Sequence, residues 1–567
     1  MKRERPVLWR ALISDLPRLG SAGSRSAALH QGAGDRDAHD TDPTPGPTGR
    51  TPGLGFRELT RFQLLRWIGT GGALLIALGA LGAGALPVVG NPYESYPGGS
   101  LMARMLQTSS ILVLVGVGLL VLAWVLMAPF TGASLRHRET PRPTVSTALL
   151  RRTFAAWVLP ILFTAPLFTQ DIYSYLAQGS IVARGMDPYA AGPVDLLGPE
   201  DPLARSVPFI WSHSPSPYGP VALGIAAAIS RVTADSIVLG VFAHRLVSLV
   251  GVIVAGWAVS RLARRCGVNP GTALWLGVLN PLAILHLIGG IHNESILLGL
   301  MLGGLELGLR GVDTLNRDDA DRRTGMGLIA LSGALITCAG LVKVTGFLAL
   351  GFVGMALARH LAQRGRRAVT AITFAVIVQV ILLMVTVAAV SALTGIGLGW
   401  VTGQGGAATI RSWMSVTTDI GVIGGWLGML LGLGDHTTAI LTVTRAVGVL
   451  VAISFLVRML FATFRGTIHP VGGLGVATFV LVILFPVVHP WYMLWAIVPL
   501  AAWANRLVFR MAVVVYSAAF SFFVLPRGLA LPPMTVVSIY VGSAVTFAVV
   551  VALGWWLLRR RGVLGLH

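Results

Sequence analysis

The chain reads as an all-α, polytopic integral membrane protein of the many-span type, with about 14 transmembrane helices. Three observations predict this. Hydrophobic residues make up 54% of the 567 and charged ones only 12%, too little polar surface to coat a soluble fold of this length. Apolar runs repeatedly approach the roughly 20 residues that cross a bilayer. The arginines gather in short links between those runs, as expected of charge retained on the cytoplasmic side. The formal charge of +20 is therefore topological and predicts no nucleic-acid partner.

Spans are predicted near 63–88, 108–131, 154–170, 236–260, 271–290, 294–311, 325–342, 344–360, 367–393, 437–461, 470–488, 491–505, 508–525 and 535–558. The inner links then carry Arg136, Arg138, Arg142, Arg151 and Arg152; Arg261, Arg264 and Arg265; Arg317, Arg322 and Arg323; Arg364, Arg366 and Arg367; and Arg559, Arg560 and Arg561. The first large outer loop, 171–235, is acid-rich, with Asp187, Asp195, Glu200, Asp201 and Asp235. This pattern puts both termini in the cytoplasm, the protein in the plasma membrane and Asp171 outside. Two apolar stretches, Tyr218–Ser230 and Asp419–Leu433, would break the charge alternation as spans, so they are predicted to lie in the outer interface.

Residues 1–58 lack apolar periodicity and are rich in Gly, Pro, Ser and Asp, which predicts a disordered cytoplasmic tail. The remaining organisation reads as two extra helices and an inner loop over 59–153, a catalytic module over 154–360, and a C-terminal transmembrane module over 361–567. Cys266 and Cys338 fall in a predicted inner link and inside an apolar run, so neither a disulfide nor a metal site is expected.

The stretch from Phe168 to Tyr189, FTQDIYSYLAQGSIVARGMDPY, carries the most chemistry. An apolar run ends, Asp171 follows at once, and Tyr175 and Gln178 recur at i+4 and i+7. A helix there puts an acid, a phenol and an amide on one face. An acid at the outer membrane boundary is placed to act on a substrate whose carrier lies in the lipid. For a sugar transferase, the activity that the resemblance described below implies, no nucleotide sugar is supplied outside the cell, so the donor is lipid-linked with phosphate as leaving group. One carboxylate can then deprotonate the attacking hydroxyl. A single displacement inverts the anomeric centre, whereas retention needs a second, nucleophilic carboxylate. Asp171 is assigned as the general base; its plainer reading is a helix N-cap.

An early span, an acid opening a large outer loop, two juxtamembrane helices and a return span resemble the opening module of the GT-C glycosyltransferases. QDIYSYLAQG, ARGMDPY, SPSPYGP (Ser214–Pro220), GGIHNES (Gly289–Ser295), LVKVTG (Leu341–Gly346) and VVHPWYMLW (Val487–Trp495) resemble one branch more closely. That branch is the actinobacterial polyprenyl-phosphomannose-dependent α-(1→6)-mannosyltransferases of lipomannan and lipoarabinomannan synthesis. The resemblance spans roughly residues 60–558. It implies a polyprenyl monophosphomannose donor, a mannan glycolipid acceptor, and no metal or other cofactor.

Other candidates follow from position. Lys343 is one of only two lysines and falls at a predicted outer corner, where a compact cation suits a donor phosphate; snorkelling is its plainer reading. Arg245 and Arg445 lie inside spans, and the sequence leaves open whether they hold the polyprenyl phosphate or a structural partner. Asp187 is a candidate hydroxyl ligand or the start of a turn before Pro188. Tyr218 lies in the SPSPYGP motif. His292 and Glu294 close one outer hairpin, with Glu294 as the second-ranked acid. His489, Trp491 and Tyr492 close another, and Trp491, Tyr492 and Trp495 read as a sugar platform or an aromatic belt. Two competing readings are a transporter or flippase of a lipid-linked sugar and a GT-C transferase with another sugar donor. No internal repeat of the kind transporters show is evident.

Overall fold

The computed structural model describes residues 56–136, 143–316, 322–403, 411–528 and 530–560. Most of the expected tail lies outside the described residues, as do Arg138, Arg142, Arg317 and Arg561. Residues 56–58 of that tail instead open the first helix. The described residues form helices and connecting turns, with no strand among them.

The helices used below are α1 (Phe56–Ala83), α2 (Leu106–Met127), α3 (Thr147–Leu162), α4 (Asp171–Ala183), α5 (Pro220–Thr233), α6 (Ile237–Arg265), α7 (Pro270–Gly277), α8 (Glu294–Asn316) and α9 (Arg322–Gly340). They continue as α10 (Leu348–Gln363), α11 (Ala368–Thr394), α12 (Val416–Leu430), α13 (Thr437–Arg465), α14 (Pro470–Leu484), α15 (Leu494–Trp503), α16 (Leu507–Phe520) and α17 (Pro533–Arg560). Among the described residues, α1, α2, α6, α8, α9, α11, α13 and α17 are long and apolar enough to cross a membrane, as is α10 together with the 3-10 turn that precedes it, over Val344–Gln363. The protein is a multi-pass membrane protein.

One further apolar pair is bent, in the manner of a broken span or a re-entrant loop: α7 and the turn over Pro281–Gly289 meet at 51°. Pro281 has no N–H to continue the ladder, and Asn280 caps the restart by accepting from the Leu282 N–H at 2.9 Å. The restarted turn widens to a π-helix over Ile284–Gly289. The remaining predicted spans are held by α3, α14, α15 and α16, of 16, 15, 10 and 14 residues. At 1.5 Å per residue these fall short of a full crossing, so the expected count of fourteen is not reached by length. Both interfacial stretches are helical, as α5 and α12.

Glycines set the closest packing. A Cβ at Gly299 of α8 would lie 2.5 Å from the Gly251 carbonyl oxygen of α6, and one at Gly251 would lie 2.4 Å from the Ser295 oxygen. Backbone therefore meets backbone, the close approach that small residues permit between membrane helices. This contact fixes the first turn of α8, which begins at Glu294. The far ends of α6 and α10 carry Arg264, Arg265 and Arg364, and Arg322 and Arg323 open α9 beside them.

The Gly299→Ala variant should lose thermal stability by about 1–3 kcal/mol from overpacking. Gly327→Ala on α9, where a Cβ meets nothing within 4 Å, should leave the unfolding midpoint unchanged. Thermal unfolding in detergent checks the pair; equal midpoints would contradict the packing account.

Candidate active site

Asp171 is the first residue of α4, and it is not the cap. Gln170 holds the cap position, and its side chain turns away to donate to the Leu86 carbonyl at 2.6 Å. Tyr173 donates to the Ala85 carbonyl at 2.8 Å. The exit of α1 thus braces the start of α4, which gives the first extra helix a positioning task. A carboxylate in a first helical turn also gains from the helix dipole.

Two groups address the two carboxylate oxygens. Trp211 Nε1 donates to Asp171 Oδ1 at 3.1 Å, and His292 Nδ1 stands 3.8 Å from Oδ2. The Asp171 side chain retains 24% of its exposure, so it is sheltered but reachable. Burial raises its carboxyl above the usual carboxylate range, against hydrogen bonds with Thr169 and Trp211 that hold it down. Glu294 adds to the rise and Lys343 opposes it.

The face expected of α4 forms as the spacing requires. Asp171, Tyr175 and Gln178 line one cleft, closed across from them by Trp211, Pro217 and Tyr218. The Tyr218 hydroxyl donates to that of Tyr175 at 3.3 Å, with the two rings edge to face.

Behind Asp171 a second group assembles from distant parts of the chain. Lys343 Nζ donates to Glu294 Oε1 and to the Tyr492 hydroxyl, each at 2.9 Å, and lies over the rings of Tyr492 and Trp495. Burial disfavours its charge, but Glu294, Tyr492 and Tyr218 more than offset this, and the ammonium is held above its ordinary value. An ammonium has three N–H donors, so one remains for a ligand. His489 lies parallel to Trp491, with ring centroids 4.6 Å apart, and His292 stacks on the same indole at 4.0 Å. Burial, then repulsion from Lys343, pushes His489 down to about 4. Burial, His489 and Lys343 hold His292 well below its ordinary value. Both shifts favour the neutral imidazole, whereas the surroundings of Lys343 favour its charge.

Three expectations are corrected. Arg245 does not face substrate: it is 1% exposed and bonds five backbone carbonyls, those of Leu162, Thr164, Ala165, Ile288 and Gly289. Asp187 lies exposed outside the cleft, and its Oδ1 accepts from the Tyr189 N–H at 2.9 Å, the turn role that an Asp-Pro step favours. Trp491 is no open platform, because imidazoles cover its ring and it is 5% exposed. Arg445 is half-buried and donates to Thr418 Oγ1 at 3.2 Å.

Sequence reasoning missed three groups. Trp211 touches the acid itself. Ser174 lines the cleft; its i+3 spacing from Asp171 was the available signal. His286 stacks on Trp491 with centroids 5.0 Å apart, and no local signal marks it. Trp495, expected in the aromatic platform or belt, underlies Lys343.

Comparison with known proteins agrees with this architecture. The family described as "Alpha-(1->6)-mannopyranosyltransferase, N-terminal domain" matches residues 66–359, and "MptB C-terminal domain" matches 417–552. The chain belongs to the alpha-(1→6)-mannopyranosyltransferase family. It is 63% identical to alpha-(1→6)-mannopyranosyltransferase B of Corynebacterium glutamicum, over 99% of this chain and 94% of that one. A probable alpha-(1→6)-mannopyranosyltransferase of Mycolicibacterium smegmatis is 43% identical over 81% and 82%. Alpha-(1→6)-mannopyranosyltransferase A of Mycobacterium tuberculosis is 34% identical over 80% of each chain. No solved structure matches the chain. The protein is thus a mannosyltransferase, which decides against the transporter reading and agrees with the resemblance carried by the six motifs.

Trp211→Phe removes the N–H that favours ionised Asp171, so the carboxyl should rise further. The acid limb of the pH–rate profile for this mannosyltransferase should then move to higher pH. An unmoved or lowered limb would contradict the assigned contact.

Proposed function

We propose that this mannosyltransferase moves mannose from polyprenyl monophosphomannose to an α-(1→6)-mannan glycolipid at the outer face of the plasma membrane, inverting the anomeric centre, with Asp171 as general base. One observation carries this reading: a sheltered, reachable carboxylate stands between an uncharged cleft on one side and the Lys343 ammonium on the other. In this reading the acceptor hydroxyl gives its proton to Asp171 as its oxygen bonds to the anomeric carbon. The bond from that carbon to the phosphate oxygen breaks, and polyprenyl monophosphate leaves with the electron pair. Lys343 offers its remaining N–H to that phosphate.

The inverting route is favoured because the neighbouring acid is engaged: Glu294 Oε1 is held by Lys343. Retention would ask for a second carboxylate free to attack carbon. A β-linked donor then gives an α-linked product. The arginines at the helix ends remote from Asp171 support an external site. The reading invokes no metal and no cofactor beyond the lipid-linked donor.

Transfer from radiolabelled polyprenyl phosphomannose to a short α-(1→6)-mannoside, in membranes with matched folded protein, tests this. Asp171→Asn should lower the rate by roughly 10²–10⁴-fold. Equal rates would remove Asp171 as base, and no transfer by the wild type would remove the proposed donor.

A further inference from the structure

The cleft between α4 and the segment from Trp211 to Tyr218 holds groups that the mechanism above does not use. It opens to solvent. Its floor is one face of α4, where Ser174 and Gln178 follow Asp171 at i+3 and i+7.

Both floor residues are polar, buried and incompletely bonded. Ser174 is 4% exposed, and its hydroxyl has no hydrogen-bond partner among the described residues. Leaving such a group unmatched is unfavourable, so a ligand hydroxyl that completes it gains from the match. Gln178 is 3% exposed, and its Oε1 accepts from Ser216 Oγ at 3.0 Å. In this arrangement the NH₂ end is left for a ligand oxygen. The opposite wall is Trp211, Pro217 and Tyr218, flat apolar surfaces of the kind that pack on the C–H faces of sugars.

No cation lines this cleft, whereas Lys343 lies in the other group of the site. A phosphorylated donor sugar needs a cation; a neutral sugar needs matched hydroxyl partners. We infer that the cleft is the acceptor subsite and takes the terminal hexopyranose of the growing glycan. Ser174 and Gln178 bind its hydroxyls there, and Trp211 both packs against the ring and holds Asp171 Oδ1. The inference rests on the function proposed above. It makes α4 the element that reads the acceptor, since a site built to bond a hydroxyl discriminates strongly against a sugar lacking it.

The test is direct binding to the purified full chain, free of turnover. An α-(1→6)-mannobioside and polyprenyl phosphate are titrated separately by calorimetry against wild type, Ser174→Ala, Ser174→Thr and Gln178→Leu. Ser174→Ala and Gln178→Leu should weaken the mannobioside roughly tenfold each and leave polyprenyl phosphate within about twofold. Ser174→Thr, which keeps a hydroxyl, should lose less. Ser174→Ala should also keep or raise the unfolding midpoint without ligand, because it deletes an unmatched buried group. A mannobioside that fails to bind wild type, or binds every variant equally, overturns the inference, as does weakened binding of polyprenyl phosphate. Intact mannobioside binding with no transfer from the lipid donor would instead overturn the proposed donor and leave the subsite standing.

Discussion

The guanidinium of Arg245 holds the site together. It lies one-third of the way along α6 and bonds the carbonyls of Leu162, Thr164 and Ala165 where α3 ends, and those of Ile288 and Gly289 where the π-turn ends. Carbonyls at a helix C-terminus have no partner in their own helix, and a cation there meets the negative end of the dipole. In a membrane protein such groups are especially unfavourable when left bare. One side chain therefore satisfies two chain reversals and ties them to each other. Asp171 follows the first reversal by six residues and His292 follows the second by three.

Both reversals pass through backbone that ordinary residues avoid. Phe168 has φ of 69° and Ile291 has φ of 57°. Left-handed conformations at non-glycine residues cost about 1–3 kcal/mol each and persist only where surrounding structure dictates them. Here the surroundings are explicit. Leu167 N–H donates to the Gly289 carbonyl at 3.1 Å, Phe168 N–H to that of Pro526 at 2.7 Å, and the Arg245 bonds lie alongside. The outcome is a carboxylate whose two oxygens face different halves of the site. Oδ1 faces the loop through Trp211, and Oδ2 faces the helix ends through His292.

The sequence carried the parts of this that are local or periodic. Hydropathy marked a helix at every predicted span, and the Tyr218 and Asp419 stretches, expected as interfacial helices, are helical as α5 and α12. The 3.6-residue period put Asp171, Tyr175 and Gln178 on one face before any contact was known. What stayed hidden depends on long-range convergence. Arg245 could be read as a charge at depth, but nothing near it in sequence reveals that five carbonyls meet there. Lys343 and Glu294 were each noticed alone; their ion pair joins residues 49 positions apart. Trp211 sits in FIWSHS, which resembles any interfacial aromatic cluster, and its bond to the acid spans 40 residues. Span length was overestimated at α3, α14, α15 and α16 because apolar composition does not disclose where a helix stops.

The central claim is that Asp171 stands between an acceptor on the α4 side and a donor phosphate on the Lys343 side. The most direct measurement is an electron cryo-microscopy structure of the full chain with a non-transferable phosphonate analogue of polyprenyl phosphomannose. The account predicts the phosphonate within hydrogen-bond reach of Lys343 Nζ, with the anomeric carbon facing Asp171 across the mouth of the cleft. A phosphonate bound away from Lys343, or a sugar seated between Ser174 and Trp211, would contradict it.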